Sequence, residues 1–219
     1  MAGMSMPRKR GPGRPRKLPV AEQRALVLAA AGHVFATSGL QGATIEQIAR
    51  DAGLTRQAVY ELYGDKNALF AAVVEQAEEQ AYAAIAAAGA SDADLDLKSW
   101  ARKNYANLFD FVAGHPDALP LFQEAERTGN SALSRLRKRL ALVYTEASGQ
   151  RWAEFGVEPG RADTALVTMY FAMVESLVRL NWNGDAPDRD ALIDLLTEFT
   201  IGGVLRLYSQ APEVIARVR

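Results

Sequence analysis

The residues in this chain best suited to chemistry are those that can grip a polyanion. The decapeptide RKRGPGRPRK, from Arg8 to Lys17, holds six cations and no acid. A second set lies in ATIEQIARDAGLTRQAVYELYGDKNALF, residues 43–70, which contains Thr44, Thr55, Arg56, Gln57, Tyr60 and Lys66. Arginine and glutamine can read base edges in a major groove, whereas threonine, tyrosine and lysine can hold phosphates. No comparable set exists for catalysis. There is no cysteine, so no thiolate nucleophile or thiolate metal site. His33 and His115 are far apart and neither has metal-ligand or triad spacing. His33 reads as structural, and His115, before Pro116, as turn chemistry. GxSxG, HExxH, P-loop and GxGxxG patterns are absent. The expectation is no catalytic residue, no metal, no cofactor and no enzyme.

The overall charge of −1 conceals an uneven distribution. Residues 1–19 carry six cations and no acid, residues 20–70 four cations and five acids, and the remainder fifteen and twenty-one. A basic arm therefore precedes a mildly acidic body. Such arms bind polyanions, usually nucleic acid, or serve as solvated tails, and charge alone does not separate these two readings. The arm has three glycines, four prolines and few apolar residues, so it cannot build a core and is expected to be disordered. Extended, Pro7 to Pro19 would span roughly 40 Å at about 3.3 Å per residue.

The remaining 200 residues must supply the positioning elements. With 49% apolar residues overall, the chain can bury a sizeable core as one large domain or two small ones. The lack of cysteine fits a reducing cytoplasm. No run of about 18 apolar residues is seen, so no membrane-spanning helix and no membrane partner is expected. The start of the chain lacks the apolar stretch of a signal peptide. A soluble, cytoplasmic protein is expected, nucleoid-associated when bound to DNA.

From Val20 the apolar pattern is helical, with Leu26, Ala30, Val34 and Phe35 on one face and Gly39 as a C-terminal cap. Thr44 and Gln47 read as a capping box ahead of a short helix with Ile45, Ile48 and Ala49 inward. It stops at Gly53, and Leu54 plugs the gap to the next helix. Thr55 caps that second short helix, which carries Ala58, Val59 and Leu62, and Gly64 ends it. Asp65 caps a further helix starting at Lys66. Two short helices around a tight glycine-containing turn, behind a supporting helix, form a helix-turn-helix pattern. An ordinary αα corner has the same outline. Against it stand the polar groups on the outer side of the second helix, Thr55, Arg56, Gln57, Tyr60 and Glu61.

Beyond Lys66 the pattern predicts helices near 66–88, 94–113, 116–128, 131–155, 159–182 and 189–209, with no alternating strand pattern and no internal repeat. Pro116 and Pro159 suit first turns, and Asp188 can cap the last helix. The fold class is all-α.

VLAAAGHVFATSGLQGATIEQIARDAGLTRQAVYELYGDKNALF, residues 27–70, resembles the DNA-binding domain of TetR-family transcriptional regulators. The matching positions are Phe35, Gly39, Thr44, Ile48–Ala49, Ala52–Gly53–Leu54–Thr55, Val59–Tyr60, Tyr63, Lys66 and Leu69. They are specific in combination rather than singly. The resemblance implies a three-helix head at 20–65 and a helical ligand-binding and dimerisation domain at 66–219, behind the basic arm at 1–19. It also implies phosphate contacts from Thr44, Tyr60 and Lys66, with Thr55, Arg56 and Gln57 at the front of a recognition helix. Ala43, Glu61, Tyr63 and Gly64 depart from the family's usual residues, and Ala43 and Glu61 imply fewer backbone contacts by the head alone. Gly13–Arg14–Pro15, flanked by Arg10, Arg16 and Lys17, resembles an AT-hook, which lays arginine in a narrow A·T-rich minor groove. A plain electrostatic tether is the alternative.

Helix 189–209 is apolar nearly all round, with Phe199, Gly202 and Gly203 among its residues. Helix 159–182, with Tyr170, Met173 and Leu177, is apolar on more than one face. Such helices need covering on two sides. The family resemblance implies a homodimer built from them, with Leu177, Phe199, Gly202 and Gly203 as interface candidates; a central buried helix of a monomer is the alternative. Candidate pocket residues are Phe109, Phe122, Tyr144, Trp152, Tyr170 and Met173, together with Trp100, Tyr105 and Glu175. Aromatics at helical spacing are usually plain core, but some can line an effector cavity for a largely apolar small molecule. The clusters ARKN at 101–104 and RLRKR at 135–139 read as solvent faces. The expected function is a dimeric repressor that leaves a palindromic double-stranded DNA operator when a small molecule binds. The competing readings are an architectural DNA binder dominated by its arm, and a helical small-molecule binder or enzyme with a vestigial head.

Overall fold

The structure is a computed structural model that describes residues 18–90, 94–152, 161–180 and 188–218. The arm, with Arg10, Arg14, Arg16 and Lys17, lies outside the described residues, as does Pro159. The helices are α1 Val20–Gly42, α2 Ile45–Asp51, α3 Arg56–Tyr63, α4 Lys66–Ala90, α5 Leu97–Gly114, α6 Ala118–Arg127, α7 Ala132–Trp152, α8 Arg161–Leu180, α9 Arg189–Gln210 and α10 Pro212–Val218. No strand occurs among the described residues. The all-α expectation holds.

Local chemistry explains most of the boundaries. Gly39 adopts φ 67° and ψ 171°, breaking the helical path of α1 three residues before its end. Only glycine reaches that region cheaply. The Thr44 hydroxyl accepts from the Gln47 amide at 3.2 Å, and the Thr55 hydroxyl from the Ala58 amide at 3.2 Å, so both short helices begin where the cap residues stand. Between them Gly53, at φ 66°, turns the chain, and the Leu54 amide donates back to the Ala49 carbonyl at 2.9 Å. The Asp65 carboxylate caps α4 through the Ala68 amide at 2.8 Å. Asp96 captures the Lys98 and Ser99 amides, each at 3.0 Å, which starts α5 at Leu97 rather than at 94.

Three further readings change. Pro116 is not in the first turn of a helix; α6 starts at Ala118, and Pro116 belongs to the turn after α5. The sequence reading stops at 209, but a seven-residue helix, α10, follows and buries Ile215. It is too short to show a period, although Pro212 suits its first position. Lastly, α1 is long and apolar enough to cross a membrane by length and composition, contrary to the reading that no such stretch exists. Its apolarity has a use in the fold: Val27, Ala31, Val34 and Phe35 are fully buried, and Phe35 meets Phe70 of α4 edge to face at 5.0 Å.

The long helices divide the work. α4 packs on both α1 and α7, so it runs from the head into the body. α5, α7, α8 and α9 surround the second half of the core. The RLRKR cluster is only partly a solvent face: Arg135 and Lys138 are exposed, but the three arginines are all paired. Arg135 donates to the buried Glu78 of α4 at 2.6 Å, Arg139 to Glu79 at 2.6 Å, and Arg137 to Glu175 of α8 at 2.7 Å. These arginines stitch α7 to its neighbours. In ARKN, Ala101 and Asn104 are buried, while Arg102 pairs with Asp194 of α9 at 2.7 Å.

Candidate DNA-binding surface and effector cavity

On the head, Val59 is buried against the core and anchors α3, while Thr55, Arg56, Gln57, Tyr60 and Glu61 all face outward. Tyr60 is 45% exposed, an unusual placement for a large ring. The Gln57 amide nitrogen donates to Glu61 at 2.9 Å. Glu61 therefore holds Gln57 in place. Arg56 is 4.0 Å from Glu46 of α2, a loose exposed pair worth little in stability. Lys66 donates to the carbonyls of Ala43 at 2.9 Å and Gln41 at 3.4 Å, so it ties the end of α1 to the start of α4. An ammonium has three N–H groups, and two are engaged here. Behind this surface the Tyr63 hydroxyl donates to the Arg24 carbonyl at 3.2 Å, and burial raises its pKa despite the Arg24 charge.

The head and body meet where α6 abuts α1. The Leu40 amide, just past the Gly39 break, donates to Glu124 of α6 at 2.6 Å. Arg127 grips the same carboxylate through two donors at 2.7 and 2.8 Å. Those arginine bonds chiefly hold the Glu124 carboxyl below the usual range, against the opposing effect of burial. His33 adds a second link, with Nδ1 3.0 Å from Asp117. Sequence reasoning missed both links because the partners are 84 residues apart.

A cavity of about 230 Å³ lies among α5, α7, α8 and α9. Tyr144, Trp152, Tyr170 and Met173 line it, as do Trp100 and Tyr105. Phe109 is buried in the core without lining it, and Phe122 lines a separate void of about 60 Å³ beside α6. Glu175 borders that smaller void, paired with Arg137. Asn104 and Thr200 were missed as cavity residues. Asn104 left a readable signal: a polar side chain four residues after Trp100 and four before Leu108, on an otherwise apolar stripe. Burial raises the pKa of Tyr105, Tyr144 and Tyr170, so all three phenols stay protonated.

Along the outside of α8 and α9 runs an apolar face. Met169 is 60% exposed, Leu195 59% and Phe199 64%. Gly202 and Gly203 lie on the same helix, with nothing within 4 Å of where a side chain would begin. Leu177 is half-buried and packs against the core.

Two short capped helices around a glycine turn, with the second presenting polar groups outward, define a helix-turn-helix protein carrying a large helical body. The comparisons narrow this class. Residues 27–73 match the family model described as bacterial regulatory proteins, tetR family. The HTH-type transcriptional repressor SCO4008 of Streptomyces coelicolor is 33% identical over 117 residues, covering 53% of this chain and 56% of that protein. This chain thus spans little more than half the length of that relative. The HTH-type transcriptional activator FasR of Mycolicibacterium smegmatis is 25% identical over 196 residues, covering 89% and 88%. A TetR-like transcriptional regulator from Rhodococcus sp. RHA1 superposes with a TM-score of 0.70 at 22% identity, covering 86% of this chain and 98% of that one; this likeness speaks to fold alone. The head of this chain, residues 27–73, thus resembles the DNA-binding domain of bacterial regulatory proteins of the tetR family.

Proposed function

We propose that this protein is a dimeric transcriptional repressor that binds a palindromic DNA site through α3 and leaves it when a small molecule fills the cavity of the body. The observation that carries the reading is the outer side of α3, where Thr55, Arg56, Gln57 and Tyr60 stand exposed on a helix anchored by Val59. In this reading Arg56 and the side-chain amide of Gln57 face base edges. Thr44, Thr55, Tyr60 and the third N–H of Lys66 hold phosphates. Arg10, Arg14, Arg16 and Lys17 add minor-groove or electrostatic contacts that the head, with four cations against five acids over residues 20–70, lacks. DNA binding assigns the protein to the cytoplasm.

A second subunit would cover the apolar face around Phe199, Gly202 and Gly203. A twofold dimer sets two recognition helices about one turn of DNA apart. Phe199 and Gly203 also border the cavity. A ligand that moves them would shift the dimer geometry, and the Glu124–Leu40 bond would pass movement of α6 to the head. Of the two relatives, one is a repressor and the other an activator, and transcription from the bound site with and without the protein reads the sign of regulation.

The test is selection of bound fragments from genomic DNA, with the full chain and a form lacking residues 1–19 in parallel. Recovery of the same few palindromes by both supports the proposal and gives the arm an accessory role. Recovery of broad A·T-rich DNA by the full chain, with none by the shorter form, overturns it in favour of an architectural protein.

A further inference from the structure

The cavity in the body has a hydrogen-bond inventory that specifies its guest. Among the described residues no charged side chain lines it. Its polar groups are few, and most of their protons are committed. The Thr200 hydroxyl donates to the Leu196 carbonyl at 2.6 Å, so at 2.6 Å from Tyr105 it accepts the Tyr105 proton. The Tyr144 hydroxyl donates toward Asn104 Oδ1 at 3.2 Å and the Ile85 carbonyl at 3.3 Å. The Asn104 amide donates to the Trp100 carbonyl at 2.8 Å. Tyr170 differs. Its ring stacks obliquely on Tyr105 at 4.8 Å, and no hydrogen bond among the described residues engages its hydroxyl.

An anion placed here would lose its hydration and meet no cation among the described lining residues. The nearby Arg151 guanidinium stands over the Trp100 ring and donates to the Leu95 and Ala147 carbonyls at 3.3 and 2.7 Å, so the apolar wall leaves that cost uncompensated. A cation could seek the aromatic rings, but the Arg151 guanidinium already lies 4.7 Å from the centroid of Trp100 and opposes a second positive charge beside that ring. What remains is a neutral guest. An apolar cavity of roughly 150 Å³ holds benzene. The present one, at about 230 Å³, has room for a substituted or fused ring system.

We propose that the cavity binds a neutral, ring-containing molecule whose single hydrogen-bond acceptor takes the Tyr170 hydroxyl proton. This inference rests on the reading of the cavity as the effector site. It excludes carboxylates, phosphorylated compounds and lipophilic cations as the preferred class.

The test is calorimetric titration of the full-length protein with three probes of similar size: coumarin, which is neutral with a carbonyl acceptor; 2-naphthoate, an anion; and 1-methylquinolinium, a cation. Coumarin should bind at least about tenfold more tightly than either ion, because only the ions must shed strong hydration. Tyr170→Phe removes one hydroxyl and little volume. It should weaken coumarin binding about three- to tenfold, as loss of one hydrogen bond does, with an unchanged melting curve. An ion that matches coumarin, unchanged coumarin affinity in Tyr170→Phe, or no binding by any probe at millimolar concentration overturns the proposal. The effector reading is tested separately by titrating coumarin-saturated protein with a DNA fragment recovered in the selection above. The expected probe ranking with unaltered DNA affinity retains the ligand class and removes the effector role. A failed ranking removes the ligand class and leaves the effector role open to other molecules.

Discussion

The head and the body of this protein hold their polar groups in opposite ways. In the head, the side-chain hydrogen bonds that frame α2 and α3 are local: Thr44 to Gln47, Thr55 to Ala58 and Gln57 to Glu61 span three or four residues, while Lys66 and Tyr63 tie the helices together over 23 to 39 residues. In the body they are long-range: Arg137 to Glu175 spans 38 residues, Arg135 to Glu78 57, and Tyr105 to Thr200 95. A surface that must meet DNA leaves its side chains exposed once the backbone is capped. A cavity must instead be assembled by helices distant in sequence, and its polar groups are satisfied as those helices pack. The lesson is that a short motif can carry a recognition surface, whereas a pocket is a property of the whole bundle.

The comparison can be tested from its strongest point downward. Phe35 is fully buried against Phe70 and joins α1 to α4. Phe35→Ala should destabilise the protein by about 3–5 kcal/mol in chemical denaturation, affecting head and body together. Independent unfolding of the body at its original midpoint would show the two regions to be energetically separate. On the recognition face, Arg56→Ala or Gln57→Ala should change preference at particular base positions by about 1–3 kcal/mol, while Tyr60→Ala should weaken binding to all sequences alike. Affinity measured on a panel of single-base variants distinguishes the two patterns, and identical uniform losses would contradict the assigned roles.

Gly39→Ala should cost about 1–3 kcal/mol, since its backbone lies in a region costly for other residues. A Cβ there would also stand 3.1 Å from Glu124 Oε1, so the damage falls at the joint between the regions. Glu124 gives that joint a pH dependence. Its folded carboxyl lies below the ordinary value of 4.5, mainly through Arg127. Its contribution is thus fully present above about pH 4.5 and is lost as pH falls through the lower folded value. Glu124→Gln should flatten the decline of stability with acid in that window, as thermal melts across a pH series would read. The smallest effect is the most local: Thr55→Ala should cost about 1 kcal/mol through the lost cap of α3. Because Thr55 is also a proposed phosphate contact, its DNA affinity should fall by more than its stability predicts.

The legibility of the molecule follows the same division. Thr44, Gly53, Thr55, Gly64 and Asp65 announce their helix boundaries because a cap or a turn needs only its neighbours in the chain. The helix count of the body was nearly complete for the same reason, with α10 the omission. The content of the cavity was half visible. Tyr144, Trp152, Tyr170 and Met173 line it, but Phe109 and Phe122 do not, since helical spacing marks an inward face without saying which side of that face meets a void.

The amino-acid sequence alone determined that the chain is helical, where its short helices begin, and that α3 has a polar outer side with Arg56, Gln57, Tyr60 and Glu61, all consequences of caps, glycine turns and a 3.6-residue period. Only the tertiary structure decided that the arginines of RLRKR pair with α4 and α8, that Glu124 takes the amide freed beside Gly39, and that the Tyr170 hydroxyl has no hydrogen-bond partner among the described residues where it borders a cavity. Each of these depends on where helices distant in sequence come to rest, a geometry that packing sets and that no local pattern encodes.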